Sequence, residues 1–237
     1  MATTTIPLSS LSPRVRVSSS WFAKTELYDS CSSQGPIVIV NNSNDELSFG
    51  GGGTNGAIVR YFYPDRSTRL CGLLSAGRQH RDKWSPLTEV YPQHSGGNGG
   101  ITLPVDMVPH PPGSIWYSDL QKYRRRGTDV SHIIHVVGPI NDAAFAQGED
   151  VEVARKRAAN IVGQATLKIL RFASTELKAG TVIISGISAG IFARGSEEWT
   201  EAMYNAMRKS ISEYVNADES NSEVEKDQME VVLVGAW

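Results

Sequence analysis

The chain has 237 residues, enough for one generous domain or two small ones, and its composition is that of a folded globular protein: 40% hydrophobic, 8% aromatic and 20% charged. Lys+Arg 23 against Asp+Glu 25 leaves a net charge of -2, which excludes the global basic excess that draws nucleic acid or anionic membrane. Two cysteines, Cys31 and Cys71, exclude a disulfide framework, and no apolar run is long enough to span a membrane, so a cytoplasmic protein without membrane contact is expected.

The N-terminal stretch has no acid before Glu26 and carries Arg14, Arg16 and Lys24 among many Ser and Thr, the composition of an organellar import sequence. The alternation at Val15-Arg16-Val17 reads instead as a first strand, preceded by an arm over 1–14; organellar import stays open as the alternative. Ile37-Val38-Ile39-Val40, after the turn signal Gly35-Pro36, is a β-branched run and predicts a buried strand. A polar loop follows, then four glycines, Gly50 to Gly53, and a weak helical signal from 56 to 63. Residues 91–113 are dense in Gly and Pro and read as a long loop-rich excursion.

Ile133-Ile134-His135-Val136-Val137 predicts a second buried strand, stopped by Gly138-Pro139. From about 150 to 176 the apolar residues Ala154, Ala158, Ile161, Val162, Ala165, Ile169 and Phe172 recur at spacings of three and four, the signature of one buried helix face. Thr181-Val182-Ile183-Ile184 predicts a third strand, followed by a small-residue loop from Ser185 to Gly195. Ser196 can cap a second helix, with Glu197 and Glu198 at its positive end and Trp199, Met203, Met207 and Ile211 on its buried side. The acid-rich segment 217–230 reads as a solvated linker before a last strand, Val231 to Val234. Strands alternating with helices predict an α/β domain.

Two features carry no chemistry on this reading. The five histidines show no metal-ligand spacing, and His132 and His135 fall on opposite faces of a regular strand, which makes His135 a strand residue rather than a catalyst. Cys31 and Cys71 read as packing residues. Lys122, Arg124, Arg125 and Arg126 form a solvated basic loop, with weak contact to a polyanion as the sharper alternative.

Gly51-x-Gly53-x-x-Gly56 fits the dinucleotide fingerprint, but nine residues separate the Val40 strand end from the glycines and no acid ends a following strand, which disfavours a nucleotide-binding oxidoreductase. The fuller stretch is more telling: Val40-Asn41-Asn42-Ser43-Asn44, then Gly50-Gly51-Gly52-Gly53-Thr54-Asn55-Gly56-Ala57-Ile58. Together with "IIHVVGP" (Ile133 to Pro139) and "ISGISAGIF" (Ile184 to Phe192), it resembles the macro domain family, in order and in rough spacing.

The resemblance implies a single macro-type domain over 15–237, a three-layer α/β/α sandwich with a mixed, mostly parallel sheet and a loop-rich insertion at about 60–130. It implies binding of ADP-ribose, free or on a modified protein, with no metal and no cofactor. The ligand-binding residues would be Asn41, Asn44, Gly51, Gly52, Gly53, Ser188, Ala189, Gly190, Ile191, Phe192 beside the distal ribose, and Trp237 stacked on adenine, with Glu26 or Asp29 as the adenine-gripping acid. Glycines let backbone N–H groups approach a diphosphate, and both loops lack Lys and almost lack Arg.

Asn44 and Asn55 are the catalytic candidates. Asn55 stands where the hydrolytic MacroD-like branch has an Asp, and Val59 where it has a His; Asn cannot serve as a carboxylate base. One extra residue also separates Asn44 from the glycines. Viral-like macro domains that remove ADP-ribose lack that Asp as well. The expectation is therefore ADP-ribose binding with hydrolysis of ADP-ribosyl linkages, on protein or on ADP-ribose 1''-phosphate, and a non-catalytic reader of ADP-ribosylated partners as the alternative.

Overall fold

The computed structural model describes residues 12–31, 35–45, 48–49, 52–62, 76–80, 83–87, 93–96, 100–102, 110–119, 129–220 and 229–235. The β-branched runs form the central strands. Ile37–Ser43 is β2, Val130–Val137 is β9, Thr181–Ser185 is β10 and Glu230–Val234 is β11; with β1 (Val15–Ser18) they make five parallel strands in the order β1-β11-β10-β2-β9. The sheet then continues antiparallel through β8 (Ile115–Asp119), β4 (Ala76–His80) and β5 (Lys83–Leu87). A small second sheet joins β3 (Ser48–Phe49), β7 (Gly100–Thr102) and β6 (Gln93–Gly96). The insertion expected to be loop-rich, at about 60–130, thus carries five short strands, β4 to β8, which Gly- and Pro-dense sequence does not announce. Ala217 to Ser220, expected in a linker, continue a helix.

Each face of the main sheet is covered, because strand residues alternate sides. Ile37 and Ile39 pack with α1 (Thr25–Asp29) and α2 (Gly53–Phe62), through Leu27, Tyr28, Ala57, Ile58, Tyr61 and Phe62. Val38 and Val40 face the other way, toward α4 (Val151–Thr175) and α5 (Glu197–Ser220). The result is a three-layer α/β/α sandwich around a mixed, mostly parallel sheet. The short helix α3 (Ala143–Ala146) lies before α4.

The two long helices start as their sequences dictate. The Asp150 carboxylate accepts from the Glu152 N–H at 2.8 Å, and the Ser196 hydroxyl accepts from the Trp199 N–H at 3.1 Å. Their crossing is close at Gly163, whose carbonyl accepts from Ser210 Oγ at 2.8 Å and where a Cβ would lie 3.2 Å from that oxygen. Among the described residues no helix is long and apolar enough to cross a membrane, and no group of three or more His, Cys, Asp or Glu side chains could hold a metal. Cys31 is buried and free, its thiol pushed up to about 11 by burial, as suits a packing residue. Cys71 and the basic run Lys122, Arg124, Arg125 and Arg126 lie outside the described residues.

Candidate functional site: a cleft between two glycine loops

Parallel strands end together, and the loops beyond their carboxyl ends enclose a crevice. Here a cleft of about 250 Å³ opens beyond β2, β10 and β11. One wall is Gly52, Gly53 and Thr54, the start of α2. The opposite wall is Ser188, Gly190, Ile191 and Phe192. The walls come close: a Cβ on Gly52 or Gly53 would lie 3.3 or 3.4 Å from Ile191 Cδ1. Ile191 itself is 69% exposed, an apolar side chain left at the rim of the cleft.

The backbone of both walls is rich in uncommitted donors. Gly53 and Thr54 are in the first turn of a ten-residue helix, where N–H groups have no intrahelical acceptor and the dipole is positive. In the other loop the carbonyls are held and the amides are not. Trp199 Nε1 donates to the Ser188 carbonyl at 3.1 Å, Thr200 Oγ1 to the Ala189 carbonyl at 3.2 Å, and the Asn141 N–H to the Phe192 carbonyl at 2.8 Å. The N–H groups of Ser188, Ala189 and Gly190 donate to no partner among the described residues.

Ser188 is held at φ 59°, a left-handed conformation that costs a residue with a Cβ about 1 kcal/mol. Its Oγ is buried without a hydrogen-bond partner. It sits so close to Gly138 that a Cβ there would fall 2.1 Å from it. Gly138, which in sequence only stopped a strand, is therefore what admits the loop.

The floor is polar and cross-braced. Asn42 Nδ2 donates to Ser185 Oγ at 3.2 Å and to the Gly186 carbonyl at 3.0 Å, and Thr54 Oγ1 pairs with Ser185 Oγ at 2.9 Å. Asn42 Oδ1 is left without a partner. Two aromatic side chains also line the cleft: Trp21 beside Gly235, and Tyr204 against Gly186, where a Cβ would lie 2.5 Å from Tyr204 Cε1. Gly235 has φ 110°, which reserves that position for glycine. The described lining holds no Lys, Arg, His, Asp or Glu. Its one ionisable side chain, Tyr204, has its hydroxyl pKa raised by burial against the opposing pull of the Arg208 guanidinium.

Of the residues expected at the site, Gly52, Gly53, Ser188, Gly190, Ile191 and Phe192 line the cleft together. Asn41 and Asn55 do not. Asn41 lies on the other face of β2, beneath α2, and Asn55 of α2 meets it there: Asn41 Nδ2 is 3.3 Å from Asn55 Oδ1, 3.1 Å from Ser43 Oγ and 3.1 Å from His135 Nδ1. His135 is fully buried and its pKa is lowered to about 3 by that burial, so it is neutral at physiological pH. Asn44 is half-buried and is not among the lining residues, and neither is the buried Ala189.

Glu26 and Asp29 are exposed on α1, and Trp21 occupies the position after the first strand instead. Gly51 and Trp237 lie outside the described residues. The sequence reading missed Trp21, Asn42, Thr54, Ser185, Gly186, Tyr204, Val234 and Gly235. Ser185 and Gly186 had a signal, since both fall inside "ISGISAGIF".

No protein-family model and no curated protein sequence matches the chain. Solved structures do. The Trypanosoma brucei macrodomain in complex with ADP-ribose aligns with TM-score 0.50 at 14% identity, over 93% of this chain and 62% of that one. The same protein in complex with ADP aligns with TM-score 0.50 at 13% identity, over 97% and 70%. The Oceanobacillus iheyensis macrodomain with ADP aligns with TM-score 0.51 at 15% identity, over 99% and 89%. These likenesses show the fold: the chain has the macrodomain fold.

Proposed function

We propose that the cleft binds ADP-ribose, free or attached to a protein, and holds its diphosphate with backbone amides rather than basic side chains. The observation that carries this reading is the pairing of the two walls. One offers the amino end of α2, the other a run of amides without acceptors, and no side chain of either carries charge. Such an arrangement suits an anion that must be held without a salt bridge. The flat indole of Trp21 supplies a stacking surface for a base, and Phe192 an apolar wall for a ribose. The solved macrodomains with ADP-ribose or ADP bound support the same ligand class.

The absence of any carboxylate, imidazole or amine from the described lining favours recognition over acid–base catalysis by the protein. Hydrolysis of an ADP-ribosyl linkage is the second reading, and Asn42 is the observation behind it. Its Oδ1 lies unpartnered at the cleft floor, where it can orient a ribose hydroxyl or a water activated by the substrate's own phosphate.

Calorimetry with ADP-ribose and with AMP tests the binding claim. Micromolar-range affinity for ADP-ribose and weaker affinity for AMP are expected, and no heat and no thermal shift with ADP-ribose would overturn it. Release of ADP-ribose from a modified protein, and of phosphate from ADP-ribose 1''-phosphate, then separates enzyme from reader.

A further inference from the structure

Next to the cleft lies a second hollow of about 430 Å³, and Gly190 and Tyr204 line both. Arg208, only 9% exposed, is part of its lining. A guanidinium that deep is normally paired with a carboxylate, because an uncompensated buried charge is costly. Here it is not. Its one hydrogen bond among the described residues runs from Nη1 to Asn205 Oδ1 at 3.1 Å, its Nε has no partner, and its carbon lies 5.8 Å from the centre of the Tyr204 ring. None of the ion pairs among the described residues involves it. The fixed fork of an arginine suits a phosphate. Two carboxylates, Glu197 and Glu201, also line the hollow, both exposed, and carboxylates in such a place accept hydrogen bonds from sugar hydroxyls.

We propose that this hollow is a second subsite, which takes a further ribose-phosphate unit of the ligand held in the cleft, with the phosphate on Arg208 and ribose hydroxyls on Glu197 or Glu201. The inference rests on the ADP-ribose reading of the cleft for the identity of that ligand, but the anion site itself does not. A phosphorylated ribose can come from two sources: a 2'-phosphate on the adenosine ribose, or the next unit of an ADP-ribose chain.

Two measurements test it on the whole chain. In the first, inorganic phosphate is titrated into wild-type protein labelled with ¹⁵N, and the Nε–Hε signal of Arg208, identified by its loss in Arg208→Lys, is followed. A saturable shift is expected. In the second, calorimetry compares ADP-ribose, ADP-ribose 2'-phosphate and an ADP-ribose dimer. At least one extended ligand should bind about tenfold more tightly than ADP-ribose, and which one it is names the source. Arg208→Gln should abolish that gain while its affinity for ADP-ribose stays within about twofold of wild type. If Arg208→Gln does not fold, the wild-type measurements carry the test alone. An unmoved Arg208 signal together with equal affinity for all three ligands overturns the proposal. A moved signal with no binding of ADP-ribose keeps the anion site and sinks the reading of the cleft.

Discussion

Gly52→Glu puts a carboxylate between the two loops with little disturbance of the fold. Gly52 is exposed, and a Cβ there would meet one atom, Ile191 Cδ1, at 3.3 Å. That atom ends a flexible side chain that is itself exposed, so the methylene is accommodated by a small rotation, and the stability change should stay within about 0.5 kcal/mol. The electrostatic effect is far larger. A carboxylate about 5 Å from each of two phosphate charges opposes binding by about 2 kcal/mol at the dielectric of water, and by about 7 kcal/mol at an effective value near 20. Nothing in the described lining screens it, since no basic side chain is present. Micromolar affinity for ADP-ribose would fall by at least about thirtyfold.

Gly52→Gln separates charge from bulk and should lose much less. Calorimetry reads the affinity, and thermal melts of the free proteins verify the fold. A folded Gly52→Glu that binds ADP-ribose as wild type does would move the diphosphate away from this loop and refute the reasoning.

Further predictions follow from the same geometry. Gly186→Ala forces a methyl to 2.5 Å from Tyr204 Cε1 and 2.8 Å from Ala189 Cβ, which should cost about 1–3 kcal/mol in chemical denaturation and weaken ADP-ribose binding; wild-type stability would mean the ring moves freely. Trp21→Ala should lower ADP-ribose affinity by about 1–3 kcal/mol if the indole stacks on the base, and an unchanged calorimetric titration would free Trp21 of that role. His135 is neutral in the fold, with its pKa lowered from 6.5 to about 3, so the unfolded chain binds more protons between those values. Its contribution to stability is complete above pH 6.5 and declines as the pH falls toward 3, by about 2 kcal/mol between pH 7 and pH 5. His135→Asn should flatten that part of the denaturation profile, and an identical slope in the variant would refute the assignment. Asn55→Asp should gain no hydrolytic activity on ADP-ribosylated protein, because the side chain lies against Asn41 and off the cleft wall; a measured gain would show that α2 turns that side chain into the cleft.

The sequence was legible where one physical signal dominated. Ile37 to Val40 and Thr181 to Ile184 are β-branched runs too short for helices, and both are central strands. The three- and four-residue spacing of Ala154, Ala158, Val162, Ala165 and Ile169 put all five on the buried side of α4. Glycine density located both walls of the cleft. It did not separate Asn41 from Asn42, because that needs the phase of β2: Asn41 shares the side of Ile37 and Ile39 under α2, and Asn42 shares the side of Val38 and Val40. Tyr204 was hidden for another reason. It lies on α5, past the second loop and outside any glycine motif, and it reaches the cleft because Gly186 leaves room for its ring. Trp21 was passed over for acids further along, since a lone aromatic after a strand gives no sign of what faces it. The strands between 76 and 102 escaped notice because their sequences are rich in Gly, Pro and polar residues and lack a β-branched run.

The central claim is that the amides of two glycine loops hold a diphosphate. A titration of ¹⁵N-labelled protein with ADP-ribose, followed by amide correlation spectra, tests it most directly. The amide signals of Gly52, Gly53, Thr54, Ser188 and Gly190 should move together and saturate at one affinity, while those of the α4–α5 face far from the cleft stay still. Saturable shifts elsewhere with these five amides unmoved, or no shifts at any concentration, would contradict it.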